Sequence, residues 1–186
     1  MSVKDITENH ETKMQKAIEA LKKEYGTLRA GRATPSLLDR VMVDYYGTPT
    51  PVNQVATIAV PEPRIITIKP FEKNMLAQIE KAIQKSDLGL NPNNDGTIVR
   101  LAIPQLTKER RSELCKVVSK KGEENKVAVR NLRRDANEAV KKLEKGKTIT
   151  EDEAKKGQEN IQKLTDKYIK EIDAVMAAKE KEIMEV

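Results

Sequence analysis

The cationic side chains between residues 106 and 147 are the ones whose type and spacing suggest chemistry beyond folding. This stretch carries 14 basic residues against 7 acidic, a net of +7, while residues 1–30 and 31–105 each carry +1 and residues 148–186 carry −3. The whole-chain excess is +6, so the net charge of the protein resides here. On a helix turning about 100° per residue, Lys126, Arg130, Arg133, Arg134 and Lys141 gather on one side. Glu109, Glu113, Glu124, Asp135 and Glu138 fall elsewhere on the same helix. A merely soluble helix intersperses its signs, whereas this one segregates them. Arginine at the centre of such a stripe offers a planar fork that grips phosphate at two points. The expected ligand is therefore an anion with repeated phosphates. Readers of single-stranded RNA need aromatic platforms for bases. Of the five aromatics, Tyr25, Tyr45, Tyr46, Phe71 and Tyr168, three lie at core-like positions. The shortage favours structured RNA read through backbone and shape. The same reasoning leaves DNA open. It also leaves open a coiled-coil interaction module that meets an acidic protein.

Residues for bond-making chemistry are scarce. The single histidine, His10, cannot form a catalytic pair or a His-rich metal site, and its polar neighbourhood predicts a surface position. Cys115 is the lone cysteine, which excludes an intramolecular disulfide and suits a reducing cytoplasm. Beside Leu114 it reads as a half-buried inert thiol. The eight glycines are scattered and form no phosphate-cradling loop. Asn93-Asn94-Asp95-Gly96 lacks the spacing and terminal glutamate of a calcium loop. The expectation is a protein that is not an enzyme, with no cofactor and no metal. No run approaches the roughly 18 apolar residues of a membrane span. The polar start Met1–Glu8 has no apolar core of a signal peptide.

The elements that must hold the stripe follow from proline. All eight prolines lie between residues 35 and 104. A proline costs about 3 kcal/mol in a helix interior, so 1–30 and 105–186 are free to form long helices and 31–104 is not. Met14, Ile18, Leu21, Tyr25 and Leu28 step by fours and threes, as one helix face does. Leu114, Val118, Val129, Leu132, Ala136, Ala139 and Leu143 share a face of a second helix. Ile161, Leu164, Tyr168, Ile172 and Val175 share one of a third. Thr107 can cap the second helix and Gly146 can end it with a positive φ. Thr150 with Glu153 makes a capping box for the third. The second helix, about 60 Å long at 1.5 Å per residue, needs a bundle to be stable. Gly26, Gly122 and Gly157 inside helices cost about 1 kcal/mol each unless close packing calls for them. The insert reads as strands at 38–46, 55–60, 64–69 and 97–103, a helix at 72–85 and a loop at 91–96. The fold class is α+β: a three-helix bundle of 1–30 and 105–186 with an inserted β/α/β domain of 31–104. The chain crosses between them twice, at 29–35 and 103–105, which is a plausible hinge.

Four segments in register resemble the ribosome recycling factor family. They are Arg29-Ala30-Gly31-Arg32-Ala33-Thr34-Pro35-Ser36-Leu37-Leu38-Asp39, Tyr45-Tyr46-Gly47-Thr48-Pro49, Ser86-Asp87-Leu88-Gly89-Leu90-Asn91-Pro92, and Val129-Arg130-Asn131-Leu132-Arg133-Arg134-Asp135-Ala136-Asn137. The resemblance runs the length of the chain. It implies an L-shaped, hinged molecule acting after termination, which with elongation factor G and its GTP hydrolysis splits the ribosome into subunits. It implies that Arg111, Arg130, Arg133 and Arg134 contact rRNA of the large subunit, and Lys126, on the same charged face of the helix, is expected to bind RNA with them. Arg29 and Arg32 would join them near a hinge made of Ala30, Gly31, Arg32, Pro104 and Gln105. Lys155-Lys156 and the non-aromatic end Glu185-Val186 depart from some relatives, away from the stripe. The chain is then expected to be a cytoplasmic monomer with neither DNA nor membrane as partner.

Overall fold

The computed structural model describes residues 1–28 and 31–185. In chain order the elements are α1 (Val3–Gly26), β1 (Met42–Tyr45), β2 (Thr48–Pro51), α2 (Val52–Val55), β3 (Ala56–Glu62), β4 (Ile65–Pro70), α3 (Leu76–Lys85), β5 (Pro92–Asn94), β6 (Val99–Ala102), α4 (Lys108–Lys145) and α5 (Glu151–Met184). They form two compact units, Met1–Arg29 with Lys108–Val186, and Ala30–Thr107.

The first unit is a bundle of α1, α4 and α5. Ser2 starts α1 with a capping box: its hydroxyl accepts from Asp5 N at 3.1 Å, and the Asp5 carboxylate accepts from Ser2 N at 2.8 Å. The buried face of α1 is Ile6, His10, Met14, Ile18, Leu21 and Tyr25. His10 thus lies in the apolar stripe and is 3% exposed, which corrects the surface position expected of it. The 4-residue steps Ile6–His10–Met14 carried that placement, and polar neighbours in sequence obscured it.

Close approach accounts for two of the three helical glycines. A Cβ at Gly122 would collide with Met176, and one at Gly157 would stand 2.7 Å from Val3 Cγ1. Both glycines are buried. Gly26 meets nothing and simply ends α1. Polar pins cross the interface between α1 and α4. Tyr25 donates to the Val118 carbonyl at 2.6 Å, and Asn125 Nδ2 donates to the Ala17 carbonyl at 2.9 Å. Burial, and then Glu180 and Glu24, push the Tyr25 phenol up to about 12. Lys179, almost fully buried, donates to the Leu28 carbonyl at 3.1 Å and so secures the end of the α1 segment.

The turn from α4 to α5 is tighter than glycine placement suggested. Lys147 N donates to Glu144 O at 2.9 Å and Thr148 N to Leu143 O at 2.9 Å, a Schellman pair that satisfies the last carbonyls of α4. The left-handed residue is Lys147, at φ 56, and not Gly146. Three residues on, Thr150 and Glu153 form the expected capping box of α5.

The second unit is built on an antiparallel sheet of order β3-β4-β6-β5. Ile66, Ile68, Val99 and Leu101 point from it into a core completed by Met75, Leu76, Ile79 and Ile83. Three expectations are revised. The strand expected from Leu38 begins only at Met42, because Pro35–Leu38 winds into a 3₁₀ turn. The β1–β2 hairpin then turns at Tyr46-Gly47, with φ of 49° and 86° as a two-residue turn demands. The loop at 91–96 contains β5, a three-residue edge strand whose pairing with β6 tolerates Pro92. The helix expected at 72–85 is a 3₁₀ turn, Lys73–Met75, followed by α3. Among the described residues no helix is long and apolar enough to cross a membrane.

Candidate nucleic-acid interface

The outward face of α4 carries a row of exposed cations. Leu114, Val118, Gly122, Val129, Ala136 and Val140 bury one side of this 38-residue helix against α1 and α5. Opposite them Lys116, Lys120, Arg130, Arg134, Lys141 and Lys145 are exposed. Two cations that face a neighbouring helix are paired, Lys121 with Glu24 at 3.1 Å and Lys22 with Glu171 at 3.9 Å. Arg130 and Arg134, one turn apart, have no ion-pair or hydrogen-bond partner among the described residues. Their field is therefore turned to solvent, and two guanidinium forks at that separation can hold successive phosphates. Val127, 52% exposed, lies between them and Lys120 and offers an apolar contact in the middle of the face.

The other predicted residues are placed differently. Arg133 sits about 60° round the helix from Arg130, three residues on at 100° per residue, and leans toward α5. It is half-buried, and its Nη1 donates to Gln162 Oε1 at 3.0 Å. Gln162 in turn donates to Asp166 Oδ1 at 2.9 Å. Arg133 is thus oriented by a relay, with the rest of its fork left over. Lys126 is placed away from the exposed stripe. Its side chain is 13% exposed and is held by Asp173 of α5 and by Glu123 at 3.2 Å. The hydrogen bond it donates to Asp173, and then the one to Glu123, raise its ammonium above the usual lysine range against the opposing desolvation. Lys126 fastens α4 to α5 and does not share the exposed stripe. A wheel of α4 alone could not reveal this, because the partner carboxylate is on another helix.

Arg111 lies near the start of α4, half-buried, with Nε buried and lacking a hydrogen-bond partner among the described residues. Arg32, exposed, belongs to the second unit with Gly31, Pro104 and Gln105. Gly31 has φ 74, and a Cβ there would stand 3.1 Å from the Leu106 side chain, so this position requires glycine twice over. Arg29 and Ala30 lie outside the described residues. Cys115 is half-buried, and burial, then Glu180, raise its thiol pKa away from reactivity. His10 Nε2 lies 3.1 Å from Thr165 Oγ1, which itself donates to Ile161 O at 2.7 Å. The threonine hydroxyl has spent its proton, so His10 is the donor and Nδ1 is bare. Nδ1 is buried without a partner.

Comparison with known proteins places the whole chain in one family. The family model described as ribosome recycling factor matches residues 21–184. The ribosome-recycling factor of Carboxydothermus hydrogenoformans is 59% identical over 184 residues, covering 99% of this chain and 100% of that protein. That of Clostridioides difficile is 59% identical over 182 residues, covering 98% of each. A solution structure of the ribosome recycling factor superposes with a TM-score of 0.78 at 45% identity, covering 100% of this chain and 99% of the other. The T. thermophilus ribosome recycling factor, from a structure with E. coli elongation factor G bound to the E. coli post-termination complex, gives 0.64 at 43% identity over the whole of both chains. A likeness this complete, running through bundle and insert alike, means that the chain belongs to the ribosome recycling factor family.

Proposed function

We propose that this chain recycles ribosomes: after termination it enters the ribosome and, with elongation factor G and the GTP that factor hydrolyses, parts the subunits from each other and from mRNA. Family membership supports the cycle. The observation that supports the anchoring step is the unpaired outward face of α4, which suits the phosphates of large-subunit rRNA. The chain acts without catalysis of its own, in the cytoplasm and as a monomer; bond cleavage belongs to the GTPase. Arg130 and Arg134 are the principal contacts, Arg133 is a guided third, and Arg111 and Arg32 extend the footprint. The two crossings, at Ala30–Arg32 and Pro104–Gln105, serve as the hinge on which the insert moves.

The test combines binding and splitting. Arg130→Ala with Arg134→Ala should weaken binding to large subunits about 10-fold or more. The same pair should flatten the salt dependence by about one unit of slope for each phosphate no longer neutralised. Lys126→Ala should instead lower bundle stability with a smaller effect on the salt slope. Equal affinity of the double variant and the parent across a salt titration would refute the anchoring role. A polysome breakdown assay with and without elongation factor G tests the cycle itself.

A further inference from the structure

A ladder of polar contacts runs along the seam between α4 and α5. Ser119, Lys126 and Arg133 follow at seven-residue steps along α4, and Glu180, Asp173 and Asp166 follow at the same step along α5 in the opposite sense. Seven residues are close to two helical turns, so each set keeps to one side of its helix. The first rung is direct: Ser119 Oγ donates to Glu180 Oε1 at 3.1 Å. So is the second, where Lys126 is held by Asp173. The register of these two sets Arg133 opposite Asp166. A direct third rung would be an arginine–carboxylate pair, a strong charge-assisted contact. That pair is not made among the described residues. Gln162, one turn ahead of Asp166 on α5, stands between the two. Its Oε1 accepts from Arg133 Nη1 at 3.0 Å, and its Nε2 donates to Asp166 Oδ1 at 2.9 Å.

The amide can sit there in one orientation only. A guanidinium only donates and a carboxylate only accepts, so the amide oxygen must face Arg133 and the amide nitrogen Asp166. The consequence is electrostatic. An amide oxygen fixes the direction of a guanidinium without carrying a charge to cancel it. A carboxylate fixes the direction and cancels the charge together, as Asp173 and Glu123 do to Lys126. Were the tie only structural, the direct pair already in register would serve, and the third rung would need no amide. Arg133 is the one member of this ladder that neighbours the exposed Arg130 and Arg134.

We propose that Gln162 is a positioning residue for RNA: it intercepts Arg133 before Asp166 can neutralise it, and aims the rest of the fork at a phosphate. The proposal rests on the anchoring role given to α4 above. The test is binding to large ribosomal subunits across a salt titration, with thermal melts in parallel. Gln162→Ala removes the interposed amide and lets Arg133 fold back onto Asp166. It should weaken binding about 5-fold and lower the salt slope by about one unit, as one cation withdrawn from phosphate requires. The melting temperature should not fall, because alanine favours the helix and a direct pair replaces the relay. Asp166→Asn added to Gln162→Ala should restore affinity and slope together. The same Asp166→Asn change in the parent should gain less, since Arg133 is not neutralised there. In an Arg133→Ala background Gln162→Ala should alter neither quantity. Parent-like affinity and slope for Gln162→Ala would overturn the proposal. So would a loss of binding that Asp166→Asn does not rescue, which would leave the amide a structural tie. If Arg130→Ala with Arg134→Ala binds like the parent, the anchoring role falls first and this one with it. Weakened binding of that pair beside parent-like binding of Gln162→Ala would refute this proposal alone.

Discussion

The bundle and the insert solve the same stability problem with different interiors. The insert core is wholly apolar, a compact set around Ile66, Ile68, Ile79, Ile83 and Leu101. The bundle buries His10, Thr165 and Lys179 among its apolar residues and adds Tyr25 and Asn125 as bonds to backbone carbonyls. Long parallel or antiparallel helices can slide along one another at little cost in apolar burial. A buried donor that finds its acceptor in one register only makes the other registers expensive. A sheet needs no such device, because its register is set by backbone pairing and by side-chain alternation.

The largest break in that comparison is a cavity in the insert. Ile79→Ala removes a side chain with no solvent exposure, and the insert's unfolding free energy should drop by about 3–4 kcal/mol, read by denaturant titration. The bundle's amide-exchange protection should stay near that of the parent. Next comes steric register. Gly122→Ala places a methyl group against Met176 and should destabilise the bundle by about 1–2 kcal/mol in spite of alanine's better helix propensity. Met176→Ala in the same chain should recover much of that loss, and a double-mutant cycle measures the coupling.

A finer break is in pH. Burial first, and Lys13 second, lower the His10 pKa below the ordinary histidine value of 6.5. The folded bundle therefore binds this proton less readily than the unfolded chain. The contribution of neutral His10 is complete above about pH 6.5 and is lost as pH falls through the lower folded value. Melting temperature should decline over that acid range, and His10→Gln should remove this part of the decline, with a pH-independent offset in its place. The smallest expected effect is at the α4–α5 turn. Lys147→Gly relieves a left-handed lysine and should stabilise the bundle by about 0.5–1 kcal/mol in the same melts.

The long helices were legible because a 3–4 repeat sustained over many turns leaves little ambiguity, and because Thr150 and Glu153 stand at capping-box spacing. The edges of the insert were harder. β5 holds a proline and two asparagines, and only the partner strand β6 makes it a strand. Leu38 alternates correctly with its neighbours, yet Pro35 fixes a 3₁₀ turn ahead of it. In the candidate site, Arg130 and Arg134 were readable from one helix. The tying of Lys126 to Asp173, and of Arg133 to Gln162, depends on which faces α4 and α5 present to each other, a tertiary fact absent from any single-helix pattern. His10 was missed for the opposite reason: its spacing was informative, and its polarity outweighed it.

The Schellman turn at Lys147 also has a mechanical meaning. It sits at one end of a helix of 38 residues, roughly 57 Å long at 1.5 Å per residue, whose other end hands the chain to the insert. A tilt of about 5° at the turn would shift the far end of such a rod by about 5 Å, by simple leverage over that length. A corner closed by two backbone bonds and followed at once by a capping box is a stiff pivot. Little of a load applied at the far end of α4 is then spent in bending the rod's base.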